Sequence, residues 1–171
     1  MIEHVILVDE RDKELGIMPK IEAHEKGLLH RAFSVFIFNF KGELLLQQRA
    51  LNKYHSPGLW TNTCCSHPRE AESIEDAANR RLQEEMGLIC KLEKKFDFIY
   101  KTSFDNGLTE HEFDHVFFGK SNNHPKINTD EVLSYNYFSF TEIERGLQLQ
   151  PEIYTAWFKI CFNKVKQFAN G

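Results

Sequence analysis

No apolar run in the 171-residue sequence approaches the roughly 20 residues of a membrane-spanning helix. There is also no internal repeat, linker or low-complexity segment. These absences argue against a membrane span and a solenoid, and the length suits one sizeable core better than two. A single domain over residues 1–171 is expected. A basic excess is missing too: 21 Lys and Arg stand against 25 Asp and Glu, a net charge of −4, so no positive field is available for nucleic acid and any bound anion must be held locally. Cys64, Cys65, Cys90 and Cys161 form no C-x-x-C pair, which removes zinc ribbons and thioredoxin-type motifs, and the adjacent Cys64 and Cys65 do not readily bridge. Met1 to His4 carry no basic region and Val5 to Val8 is too short for the apolar core of a signal peptide, so a reducing cytoplasm is the expected location.

What is present is concentrated between Thr61 and Leu88, T-N-T-C-C-S-H-P-R-E-A-E-S-I-E-D-A-A-N-R-R-L-Q-E-E-M-G-L. Ile74, Ala77, Ala78, Leu82 and Met86 recur at three- and four-residue steps and predict an amphipathic helix. Ser73 can cap its start, with Asp76 three residues on, and Gly87 stands where a left-handed residue ends a helix. Arg81 and Glu85, four apart, fall on the edge of the inward stripe, where charge is costly unless paired or bound to an ion. A solvated face accounts for Glu75, Arg80 and Glu84; Glu85 needs a further reason.

Taken in order, Val5 to Val8 reads as a strand and Asp9 to Lys13 as a turn, and Pro19 opens a short helix through Lys26 that ends at Gly27. His24 and His30 lie in and just beyond that helix. Phe33–Phe40 and Glu43–Arg49, joined at Lys41-Gly42, predict a buried hairpin. Tyr54 to Trp60 is an irregular loop with a Pro-Gly turn. Lys20, Arg49 and Lys53 could gather around a diphosphate, arginine being suited to bidentate contacts with phosphate oxygens.

A second hairpin runs Leu92–Phe104 and Leu108–Gly119 around Asp105-Asn106-Gly107. Alternation puts Glu110, Glu112 and Asp114 on one face and His111 on the other. Two carboxylates side by side repel unless that face is solvated or holds a cation. Tyr135–Phe140 is an expected strand, and Thr141 to Glu144 a capping-box signature. Pro151 should start a terminal helix with Trp157, Ile160, Cys161, Lys164, Val165 and Phe168 on one face. The pattern is that of one α/β/α layered unit.

The 61–88 segment resembles a Nudix box, G-x5-E-x7-R-E-U-x-E-E-x-G-U, at Glu72, Arg80, Leu82, Glu84, Glu85, Gly87 and Leu88. It departs at Ser66, where the box has glycine, and at Arg81, where it has its first metal-binding glutamate. With T-N-T-C-C-S-H-P and E-H-E, these departures resemble the type I isopentenyl-diphosphate isomerases, a Nudix-fold family that moves a double bond. The resemblance spans nearly the whole chain and implies an α/β/α layered Nudix fold with a mixed sheet and a metal-binding loop-helix.

Residue by residue, the resemblance implies one divalent metal, Mn2+ or Zn2+, on His24, His30, His67, Glu110 and Glu112, a donor set of imidazoles and carboxylates suited to such ions. It implies a Mg2+ on Glu85 and the Cys65 carbonyl, bridging to a diphosphate held by Lys20, Arg49, Lys53, Ser66 and Arg81. Moving an unactivated double bond requires protonation at one carbon and deprotonation at another, roles the resemblance gives to Cys65 and Glu112, with Tyr100 hydrogen-bonded to Glu112. Trp157 would offer its ring face to the cationic centre, a contact of up to about 2 kcal/mol when desolvated. The partner so implied is a small allylic or homoallylic diphosphate. A monomer is expected, since no long exposed apolar stripe asks for a partner. The alternatives are a Nudix hydrolase of a nucleoside diphosphate derivative, against which Arg81 counts, and a metal-dependent binding module, against which both acid/base residues count.

Overall fold

The computed structural model describes Met1–Gly171, and its sheet is laid out from β3 (His30–Phe38). Eight of the nine β3 residues are buried, which is why the strand reads as a near-continuous apolar run without alternation. One edge pairs in parallel with β8 (Thr109–Lys120), from His30↔Glu112 to Phe38↔Lys120. The other edge is shared by three antiparallel strands: β1 (His4–Val8) at Leu7↔His30, β6 (Cys64–Ser66) from Phe33↔Ser66 to Val35↔Cys64, and β4 (Leu44–Arg49) at Phe38↔Leu44. β2 (Glu14–Pro19) pairs with β1 and β7 (Leu92–Ser103) with β8, while β5 (Trp60–Thr61) and β9 (Val132–Phe138) flank β4, all antiparallel. One parallel pair among antiparallel ones makes the sheet mixed.

Helices cover both faces and complete the three layers. α2 (Ile74–Met86) lays Ala77, Ala78, Leu82 and Met86 against Phe33, Val35, Ile37 and Phe117. α3 (Phe140–Leu149) and α4 (Ala156–Asn170) cover the opposite face, where Ile143, Phe158, Phe162 and Val165 meet Phe36, Leu44, Leu46 and Val116. A short α1 (Lys20–Lys26) ends at the left-handed Gly27. The ends of α2 are those read from sequence: Ser73 Oγ accepts from the Asp76 N–H at 3.1 Å, and Gly87 closes the helix at φ 63°. Glycine is needed there twice over, because a Cβ would lie 2.7 Å from Lys126.

Four local expectations are corrected. β3 and β4 do not form a closed hairpin; they pair at Phe38↔Leu44 and then part, because Thr61–Ser66 is inserted between them. The parted edges are joined by side chains: Thr63 Oγ1 donates to Leu45 O at 2.6 Å and accepts from the Ile37 N–H at 2.9 Å, while Gln47 Nε2 donates to Thr63 O at 2.8 Å. The capping box begins at Ser139, not Thr141, with Ser139 Oγ and Glu142 bonding each other's backbone N–H, so Phe140 belongs to α3 and not to β9. Pro151 opens a 3-10 turn (Pro151–Ile153), and α4 starts only at Ala156. The inward face of α4 holds Trp157, Phe158, Cys161, Phe162 and Val165, leaving Ile160 half exposed and Lys164 over the Phe96 ring at 4.8 Å. The two phenylalanines carry more apolar area than Ile160 and Phe168, and they set the rotation of the helix.

Thr63→Val keeps the shape but orphans the buried Ile37 N–H and Leu45 carbonyl. Denaturant unfolding should show a loss of about 1–3 kcal/mol; an unchanged midpoint would mean that Thr63 does not join the parted strands.

Candidate active site

The β3–β8 register sets His30 beside Glu112; α1 supplies His24, and the residue after β6 is His67. The ligand atoms of these four residues lie within 4.8 Å of one another. The three Nε2 atoms are buried and have no hydrogen-bond partner. His30 Nδ1 bonds the Leu28 carbonyl at 2.9 Å; a carbonyl only accepts, so this nitrogen carries the hydrogen and Nε2 presents a bare lone pair. His24 Nδ1 is held by the Tyr54 hydroxyl at 2.7 Å. Burial, reinforced by the neighbouring imidazoles, lowers His24 and His30 to about 3; burial and then Lys20 lower His67 to about 4. Three buried imidazoles whose unpartnered Nε2 atoms converge on one carboxylate fit a divalent metal of the Zn2+ or Mn2+ type.

Glu110, the fifth ligand implied by resemblance, is engaged elsewhere. One oxygen meets His55 Nε2 at 2.9 Å and the other accepts from the Tyr100 hydroxyl at 2.9 Å. The Tyr100 hydroxyl donates to Glu110 and, with Tyr100 standing opposite Glu112 in register, also acts to lower the Glu112 carboxyl through a hydrogen bond, so it serves both members of the pair. Burial raises Glu110, but the His55 and Tyr100 hydrogen bonds outweigh it and take the group down to about 2. Glu112 moves the other way, pushed well up by burial and by the charge on Glu110.

A cavity of 110 Å3 brings together Cys65, Glu112, Tyr100 and Trp157 with Lys20, Arg49, Lys53, Ser66, Arg81 and Glu85. Three of its cations already hold carboxylates. Lys20 meets Glu3 at 2.6 Å, Lys53 pairs with Glu131, and Arg81 meets Glu85 at 2.8 Å and Glu131 at 3.5 Å. Arg49 holds none: it donates to the His55 carbonyl at 3.2 Å, its buried Nε is unpartnered, and its guanidinium carbon lies 5.3 Å from the centre of the Trp157 ring. Arg81 and Gln47, the latter at 3.2 Å, are the partners that let Glu85 face inward. The half-buried Cys65 thiol is pushed well up by burial. Sequence reasoning missed Glu3, His55 and Glu131. His55 stood beside named residues in an irregular loop, but nothing in sequence ties it to Glu110; Glu3 and Glu131 carry no motif at all.

The histidine shifts have a definite sign. The usual pKa of 6.5 falls to about 3–4 on folding, so the unfolded chain binds more protons between those values, and stability is full above pH 6.5 and lost as pH falls. Chelator-treated protein should lose on the order of 2 kcal/mol per histidine between pH 6.5 and 5. Denaturant titrations of wild type against His30→Gln check this, because the raised Glu85, Glu112 and Asp114 carboxyls act in the opposite sense in both; a difference between the two that does not change with pH would mean that His30 is not buried neutral.

Residues 28–158 match the NUDIX domain model. An isopentenyl-diphosphate Delta-isomerase of Pectobacterium atrosepticum is 53% identical over 167 residues, covering 98% of this chain and 93% of the relative. Isopentenyl-diphosphate Delta-isomerase 2 of Aromatoleum aromaticum is 50% identical over 96% of this chain and 87% of its own length. Among solved structures, a Deinococcus radiodurans protein superposes with a TM-score of 0.72 at 19% identity, over 86% of this chain and 90% of that one. A MutT protein from Methanosarcina mazei gives 0.66 at 20%, over 81% and 94%. The structural likenesses show the fold alone, whereas half-identity over nearly the full length places the chain in the isopentenyl-diphosphate Delta-isomerase family of the Nudix superfamily.

Proposed function

We propose that the protein interconverts isopentenyl diphosphate and dimethylallyl diphosphate. The observation that carries this reading is the meeting of a thiol, a carboxyl and an indole ring (Cys65, Glu112 and Trp157) in one small cavity that also holds four cations.

The diphosphate oxygens replace Glu3 on Lys20 and Glu131 on Lys53, while Arg49, the cation without a carboxylate, takes the anion directly and Ser66 adds a hydroxyl. Cys65 and Glu112 stand on strands at opposite edges of β3, and their register partners Ser34 and His30 share one face of that strand. One of the two gives a proton to the terminal alkene carbon; the other takes one from the carbon adjacent to the ester carbon. The tertiary centre between them carries positive charge meanwhile, against the Trp157 face. No atom is lost: one C–H bond forms, one breaks, and the double bond moves. A divalent cation on His24, His30, His67 and Glu112 would keep Glu112 ionised beside Glu110, and a Mg2+ at Glu85 would neutralise diphosphate charge. The hydrolase reading requires several helix carboxylates to hold paired metals, and Arg81 stands in one of those places.

Proton NMR of metal-replete protein with isopentenyl diphosphate in D2O should show deuterated dimethylallyl diphosphate, lost on chelation. Cys65→Ala should lower turnover by about 10²–10⁴-fold with unfolding unchanged. No product from the wild type, together with phosphate release from nucleoside diphosphate derivatives, would replace this reading with the hydrolase one.

A further inference from the structure

We infer that Asn62 is a positioning residue whose side-chain amide holds the Trp157 ring and the backbone leading into Cys65 in one fixed relation, an inference that rests on the isomerase reading. Asn62 is fully buried, and its amide makes four hydrogen bonds. Nδ2 donates to Cys64 O at 2.8 Å and Val35 O at 3.3 Å. Oδ1 accepts from Thr61 Oγ1 at 2.9 Å and from the Trp157 indole N–H at 3.2 Å. The orientation of the amide is forced, because an indole nitrogen only donates and backbone carbonyls only accept. The chain continues beyond it: Thr155 Oγ1 donates to Thr61 Oγ1 at 2.8 Å, and the Thr155 N–H donates to Trp60 O at 2.9 Å, which docks the residue before α4 on β5.

Two features distinguish this from an ordinary buried amide. It joins two different cavity-lining segments, the carbonyl next to Cys65 and the indole of Trp157, so the pairing that these two buried groups need also ties the strand of the thiol to the ring. The bond to Asn62 is also the one hydrogen bond that the buried indole makes; His55, edge-on at 5.8 Å, and the Arg49 guanidinium at 5.3 Å lie against the ring but do not hold its nitrogen. A cation–π contact depends on which part of the ring faces the charge. One amide therefore fixes both the ring that meets the cationic centre and the strand that carries the thiol, and an error in either lowers the rate without weakening the hold on the diphosphate.

The test uses full-length, metal-loaded protein and compares wild type with Asn62→Leu, Trp157→Phe and the double variant. Two quantities are read: kcat and KM for isomerisation, and affinity for an inert diphosphate ester bearing a tertiary ammonium at the cationic position, relative to its neutral alkyl counterpart. Asn62→Leu should lower kcat by about 10²-fold at unchanged KM, as expected for misplacement of reacting groups. It should abolish the preference for the ammonium ester while leaving neutral-ester affinity intact, and adding Trp157→Phe should lose much less than the sum of the single effects. A folded Asn62→Leu protein that retains kcat and the ammonium preference, or strict additivity with Trp157→Phe, overturns the inference. If Asn62→Leu does not fold, the same measurements on Asn62→Asp, which keeps the indole acceptor but loses the donor to Cys64 O, and on Thr61→Val decide it. Failure of the isomerase reading looks different: the wild type itself would neither isomerise nor prefer the ammonium ester.

Discussion

The structure depends on the insertion of Thr61–Ser66 between β3 and β4. An uninterrupted hairpin would have paired their backbones directly and left no gap in the sheet. Here the paired edge is opened after Phe38↔Leu44, and the backbone groups exposed by the opening are met by Thr63, Asn62 and Gln47. Because an orphaned buried backbone group is costly, the inserted segment must carry small hydrogen-bonding side chains at these positions. The same insertion brings Cys65 alongside Ser34 and leads directly into His67. The polar residues that make the break tolerable are thus continuous with those that line the cavity.

A second constraint is charge. Five carboxylates, Glu3, Glu85, Glu110, Glu112 and Glu131, share one cavity with Lys20, Arg49, Lys53 and Arg81. Glu3 is half exposed, but Glu85, Glu110 and Glu112 are buried, and charges so placed persist only when paired and hydrogen-bonded. The carboxylates divide the work: Glu3 and Glu131 hold lysines that a diphosphate can take over, Glu85 holds Arg81, and Glu110 is fixed by His55 and Tyr100. Glu112 is left with imidazoles at 3.6 and 3.9 Å and a share of the Tyr100 hydroxyl. It is the carboxyl whose environment is least complete, and it faces the three orphaned ring nitrogens.

Local patterns carried much of this into the sequence. Spacing gave α2 with both ends, the β7–β8 hairpin and the left-handed stop at Gly27, because periodicity, caps and glycine act within a few residues. The same logic failed where a distant partner decides. The opening of β3 from β4 depends on residues some 20 positions downstream, and the rotation of α4 depends on which of two apolar stripes the sheet accepts. β2 was not marked by pattern at all, since its residues are largely exposed and it is a strand only through β1. At the site, His24, His30, His67 and Glu112 were each weak by spacing and gained force from family resemblance; their meeting is a property of the β3–β8 register and of the turn after β6, which no local window contains. Glu131 reaches Lys53 from 78 residues away.

The likeness to Nudix structures at about one-fifth identity and to isopentenyl-diphosphate isomerases at about one-half marks how much of the activity the fold leaves open. The decisive place is a single turn of α2. A carboxylate at position 81 would stand four residues from Glu85 on the same helix face, and two such anions so close require cations to hold them. Arg81 supplies a fixed positive charge instead, bonded to Glu85 at 2.8 Å and to Glu84 at 2.7 Å, and the helix no longer has the paired anionic ligands that two metals need. With that requirement removed, Glu85 faces the cavity alone, and the thiol and carboxyl proposed to react, Cys65 and Glu112, stand on β6 and β8, outside the box. The helix keeps the cap at Ser73, the stop at Gly87 and an apolar face against the sheet, while the proposed acid and base sit beside the opening between β3 and β4.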